Sequence, residues 1–153
     1  MSFSGRPGIF FEQAVFNDGF WPNLSIAEFQ KGYRLPAEYL VDLLVADLTT
    51  AMVEVNTDLA KLKARWQGAG VSNVESADTT ILPERTFQAA TYKRAVYSRA
   101  KASLLTQFAT VNRRESAENV GKELPERSET FLAFSQAAVR SLQGRGRITA
   151  ALL

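Results

Sequence analysis

Four carboxylates, Asp42, Asp47, Glu54 and Asp58, are the residues of this 153-residue sequence best suited to acid–base work. A pair of carboxylates can act as acid and base when their surroundings push their pKa values apart. Here they share a helix-like stretch whose other side is apolar, the pattern of a solvated face. We therefore read no active site into them. The chain has no His and no Cys. That removes the commonest metal ligands, the usual general base near neutral pH and any thiol nucleophile. A Ser/His/Asp arrangement is impossible. Gly68-Ala69-Gly70 follows a helix rather than a strand, so it reads as a helix stop and not as a phosphate-binding turn. Hydrolase elbows and serine–lysine motifs are missing. The expectation is a protein that is no enzyme and uses no cofactor. A carboxylate site for magnesium or calcium is the one metal option left.

The second constellation is basic. Lys93, Arg94, Arg99, Lys101, Arg113 and Arg114 stand with Tyr92 and Tyr97 between them. Cations interleaved with aromatics suit nucleic acid. These six scatter in angle, however, and Glu115 and Glu118 follow directly. Neither helix-turn-helix spacing nor an aromatic sheet motif is present. A small basic helical DNA-binding protein is the alternative reading.

Charge is unevenly distributed. Residues 1–60 hold 3 basic and 8 acidic residues, net −5, and residues 61–153 hold 15 basic and 8 acidic, net +7. Two faces of opposite sign suit head-to-tail self-association. An uneven but merely solvated surface gives the same pattern. No run of 18 apolar residues exists, so no membrane-spanning helix is expected. The N-terminus lacks the pattern of a signal peptide. The absence of Cys fits a reducing compartment, and the cytoplasm is the expected place of synthesis.

The elements that position these residues read as helices. Residues 1–24 form an extended, aromatic N-terminal arm in which Gly and Pro forbid a long helix. Its Asp18-Gly19 pair is a turn signal. Phe10, Phe11, Phe16, Phe20 and Trp21 cannot all stay in water cheaply, since each one buried is worth ~1.5–3 kcal/mol. They pack either on the helices of their own chain or on another chain. Ser25-Ile-Ala-Glu28 is a capping box that opens a short helix ending near Gly32 or Tyr33. Pro36 suits the first turn of a long helix over 36–67. Its core seam is Leu40, Leu44, Leu48, Met52, Val55, Leu59, Leu62 and Trp66. Val41, Leu43 and Val45 widen the apolar face, as if it met more than one neighbour.

Residues 68–80 read as a polar loop. A second long helix spans 83–111, with one seam of large residues (Tyr92, Val96, Ala100, Leu104, Phe108) and one of small (Ala95, Ser98, Ala102, Leu105, Ala109). Lys93, Tyr97 and Lys101 fall on an outward stripe. A polar stretch over 112–124 leads to a helix from Pro125 to about Gln143, with Gly144 as its C-cap. The expected fold is all-α: an antiparallel helical bundle over 25–143, its two long helices forming a hairpin. A tail over 144–153 follows, basic and then apolar. It either folds back on the bundle or inserts into a partner.

The order of several of these features resembles a known family. Asn17-Asp-Gly-Phe-Trp-Pro-Asn-Leu24 precedes the short helix and Tyr33-Arg-Leu-Pro36. Then come Met52-Val-Glu-Val-Asn-Thr-Asp-Leu-Ala60, Trp66, Gly70, Tyr92-Lys-Arg-Ala-Val-Tyr97 and Ala138-Val-Arg-Ser-Leu-Gln-Gly-Arg-Gly-Arg147. Over about residues 17–147 the chain resembles the head completion, or head stabilisation, proteins (gpL) of temperate contractile-tailed phages. The resemblance implies a structural part of the virion's head–tail neck, assembled in the host cytoplasm. Such proteins dock on the portal ring after DNA packaging, extend its channel and form the platform for tail attachment. It implies a homo-oligomeric ring, twelve-membered, with the portal protein and tail-terminator or neck proteins as partners. Packaged DNA would pass through the lumen without its sequence being read, and no membrane is involved. A C-terminal segment reaching into the portal would be Arg145, Arg147, Ile148, Leu152 and Leu153. The family offers no catalytic residues to carry over.

Overall fold

A computed structural model describes residues 10–36, 38–76, 82–108 and 126–144. The protein is mainly helical. Two short strands, β1 (Ala14–Val15) and β2 (Leu24–Ser25), pair antiparallel, with Ala14 opposite Ser25 and Val15 opposite Leu24. They lead into α1 (Ile26–Gly32), α2 (Val41–Asp58) and α3 (Ala60–Gly68). A 3-10 turn (Val74–Ser76) precedes α4 (Leu82–Gln107) and α5 (Ser128–Leu142). The long α4 is the central element and packs against both α2 and α5.

Helix boundaries follow local chemistry. The Asp18 carboxylate accepts the amides of Phe20 and Trp21 at 2.9 and 3.0 Å, and Gly19 takes φ +86°, as an Asp-Gly turn requires. The Ser25 hydroxyl caps α1 by accepting the Glu28 amide at 3.2 Å. The expected reciprocal bond is absent, because the Tyr97 hydroxyl takes both remaining groups. It accepts the Ser25 amide at 3.0 Å and donates to Glu28 Oε1 at 2.7 Å. The cap is thus completed from α4, and it ties two elements together.

The long helix expected over 36–67 differs in two ways. It begins at Val41, and ahead of it the Tyr39 amide donates to the Pro36 carbonyl at 3.2 Å. It also breaks at Leu59, whose φ of −99° and ψ of 7° leave the helical region. Two residues earlier the Thr57 hydroxyl donates to the Val53 carbonyl, a back-bond that bends helices. Leu44, Leu48, Val55 and Leu59 are fully buried, while Leu40, expected in the same seam, is 73% exposed. The helix expected from Pro125 begins at Ser128, after an extended Arg127.

The core joins all these elements. Phe29, Tyr92, Val96, Ala100 and Leu104 are buried together with Phe20 and Trp21 from the hairpin connection. The small seam of α4 does what its size allows. Ala95 and Ala102 are buried, and Ser135 of α5 comes close enough to donate to the Ala95 carbonyl at 2.7 Å. Val74, inside the expected polar loop, is buried and donates its amide to the Phe20 carbonyl at 2.9 Å. Among the described residues no helix is long and apolar enough to cross a membrane.

Candidate functional site

Three of the four carboxylates, Asp47, Glu54 and Asp58, tie elements together. Asp47 accepts from the Gln107 amide at 2.9 and 3.0 Å and from the Ser103 hydroxyl at 3.4 Å, across the α2–α4 seam. Asp58 and Glu54 lie 3.0 and 3.9 Å from the Arg99 guanidinium. Asp42 is exposed at the start of α2. Among the described residues no group of three or more His, Cys, Asp or Glu could hold a metal ion.

Three of the six residues of the basic constellation, Lys93, Arg99 and Lys101, are held in ion pairs within the molecule. Arg99 is spent on Asp58 and on the Ser135 hydroxyl, 3.1 Å away. Lys101 was expected on an outward stripe, yet it is 3% exposed. Its ammonium donates to the Tyr33 carbonyl at 2.8 Å and pairs with Glu126 at 2.7 Å. A buried ammonium is tolerable only with such partners. Tyr97, from the same stripe, is also 3% exposed and stacks on Phe29 with centroids 5.4 Å apart. Burial pushes the Tyr97 hydroxyl above its ordinary pKa, helped by the Glu28 carboxylate to which it donates. Lys93 pairs with Glu28 at 3.3 Å. Arg113 and Arg114 lie outside the described residues.

The N-terminal aromatics divide. Phe20 and Trp21 are 3% and 2% exposed, within the core of their own chain. Trp21 stacks on Tyr92, centroids 4.8 Å apart. Phe10, Phe11 and Phe16 are 42%, 50% and 76% exposed and remain available to a neighbour. Phe11 is anchored through its amide, which donates to Gln30 Oε1 at 2.9 Å. A closed cycle of bonds fixes the connection that follows. Asn17 Nδ2 donates to the Tyr92 hydroxyl, which donates to Asn56 Oδ1, whose Nδ2 returns to Asn17 Oδ1. Asn17 and Asn56 both lie in the runs that carry the family resemblance, but nothing in the sequence showed that they meet.

A groove of about 720 Å³ lies between α1, α4 and α5. Tyr33, Tyr97, Phe131 and Phe134 line it with rings, and Arg34, Lys93, Arg94, Glu28 and Glu126 supply charge. Each of its acids is matched by a lysine, Glu28 by Lys93 and Glu126 by Lys101. Arg34 and Arg94 have no ion pair among the described residues, and Arg94 lies over the Phe134 ring at 5.2 Å. The net result is an aromatic trough with surplus positive charge. Its rings and the Arg34 and Arg94 guanidiniums suit the binding of an apolar or acidic group. The tail residues Arg145, Arg147, Ile148, Leu152 and Leu153 lie outside the described residues.

Comparison with known proteins bears on these surfaces. The family model described as phage head completion protein (GPL) matches residues 15–153. A probable head completion/stabilization protein of Haemophilus phage HP1 (strain HP1c1) is 30% identical over 145 residues, 95% of each chain. No solved structure matches the chain.

Proposed function

The chain belongs to the phage head completion protein (GPL) family, which is structural rather than enzymatic, and from that premise we propose that it docks on the portal ring once DNA is packaged. In this reading it extends the DNA channel and forms the platform that receives the tail. It works in the head–tail neck of the virion after assembly in the host cytoplasm. Its copies form a twelve-membered ring around DNA whose sequence is not read. The antiparallel sense of the helices, and the division into an arm (1–24), a bundle (25–143) and a tail (144–153), belong to the same reading. So does the assignment of Arg145, Arg147, Ile148, Leu152 and Leu153 to portal docking, and of the exposed Phe10, Phe11 and Phe16 to contact with a neighbour.

The observation that carries the proposal is the extent of the family match. It spans residues 15–153 and so includes the basic-apolar tail as well as the helices. The alternative, a small DNA-binding protein, is disfavoured by the fate of its cations. Arg99 and Lys101 are tied to carboxylates inside the molecule.

Co-purification with the family's portal rings tests the proposal. The full chain is expected to be retained by portal, and a chain ending at residue 144 is expected to be lost. If the truncated chain is retained as well as the full one, the tail is not the docking element. If neither is retained, the portal reading itself fails.

A further inference from the structure

Leu40 occupies a position that the folding of a single chain does not explain. It is the N-cap residue of α2, yet it offers no capping bond, and leucine is among the poorest residues there. It also adds nothing to the core, being 73% exposed. Two acids flank it, Glu38 and Asp42, both exposed and neither ion-paired among the described residues. The result is an aliphatic knob between two carboxylates.

The groove between α1, α4 and α5 is its chemical complement. It has an aromatic lining, with Phe134 still 39% exposed, and two guanidiniums, Arg34 and Arg94, without ion pairs among the described residues. We propose that Leu40 of one copy seats in this groove of a second copy, its Glu38 and Asp42 meeting Arg34 and Arg94. Apolar contact supplies the affinity and the charges fix the register. The contact names a residue-level interface for self-assembly, and it rests on the reading of the chain as a self-associating ring component.

Two single-cysteine variants of the full chain test the contact, because the protein has no cysteine of its own. Leu40→Cys and Phe134→Cys chains, made in different lengths, are mixed under mild oxidation. The mixture is expected to give the mixed disulfide dimer well above the symmetric products. In parallel, sedimentation at rising concentration reads self-association directly. Leu40→Ser, which also supplies a proper cap, is expected to keep or raise Tm while weakening self-association by about tenfold or more. Arg94→Glu is expected to weaken it similarly. If the unmodified chain self-associates while the mixed disulfide is no more abundant than the symmetric ones, the interface is wrong and the ring reading stands. If the unmodified chain does not self-associate at any concentration, the interface falls too, and portal docking is judged separately by the co-purification above.

Discussion

The Trp21 indole lies flat on the Tyr92 ring, centroids 4.8 Å apart and planes 4° from parallel. The stack fastens the connection between β1 and β2 to the middle of α4. The Tyr92 hydroxyl, at the far end of the same ring, closes the cycle with Asn17 and Asn56. One side chain therefore supplies both an apolar and a polar attachment of the N-terminal hairpin.

Tyr92→Phe keeps the stack and removes the hydroxyl. Asn17 Nδ2 then loses one of its acceptors and Asn56 Oδ1 loses a donor in a half-buried setting. The expected loss is about 1–3 kcal/mol, read as a lower midpoint in urea. Asn17→Ala combined with Tyr92→Phe should cost less than the sum of the two, because both remove the same cycle.

Lys101 and Glu126 should respond unequally to truncation. Lys101→Met deletes the buried charge and leaves Glu126, 40% exposed, free to be solvated. Glu126→Ala leaves an ammonium that is 4% exposed with the Tyr33 carbonyl and the face of the Phe131 ring. Stranding a buried charge is the costlier error. With one partner at the surface, about 1–2 kcal/mol is expected for Glu126→Ala. Equal losses in thermal melts would contradict this account of the pair.

Asp18 sets an acid limb. Burial acts to raise its carboxyl, but hydrogen bonds from the Lys63 ammonium and from the Trp21 and Phe20 amides outweigh it. The carboxyl is held below its ordinary value of 3.8. A depressed folded pKa means that the stabilisation is present above that value and is lost as pH falls below it. Stability is expected to drop with acidification through that window, and Asp18→Asn should flatten the drop. Melting temperature against pH for both proteins checks it.

Much of the fold is legible in the sequence because local chemistry writes it. Asp18-Gly19 announces the turn, Ser25 the start of α1, and Gly68, Gly70 and Gly144 the helix ends. Periodicity found Leu44, Leu48, Val55 and Leu59. What it could not show is how many neighbours cover a helix. A 3.6-residue period places Tyr97 and Lys101 together on one stripe, and nothing local says that α1 and Glu126 close over them. Leu40 fails for the opposite reason, since its spacing fits the seam but the helix starts one residue later. The two-residue strands are too short to alternate. The groove is invisible for the same physical reason as Lys101's burial: three separate elements build it.

DNA affinity should be weak and only gently dependent on salt. A protein that neutralises phosphates loses affinity with a slope of about −0.9 per phosphate contacted. Lys93, Arg99 and Lys101 are held in ion pairs within the molecule, which lowers what this constellation can contribute. A steep slope that flattens on Lys93→Gln and Arg94→Gln would favour the DNA-binding reading.

The central claim is that this chain completes a phage head by adding to its portal. Electron-microscope imaging of portal rings incubated with the full chain tests it most directly. A further ring of density, built of copies of this chain, is expected on the portal's outer end and continuous with its channel. Bare portal rings, at concentrations where the protein is folded and in excess, would contradict it.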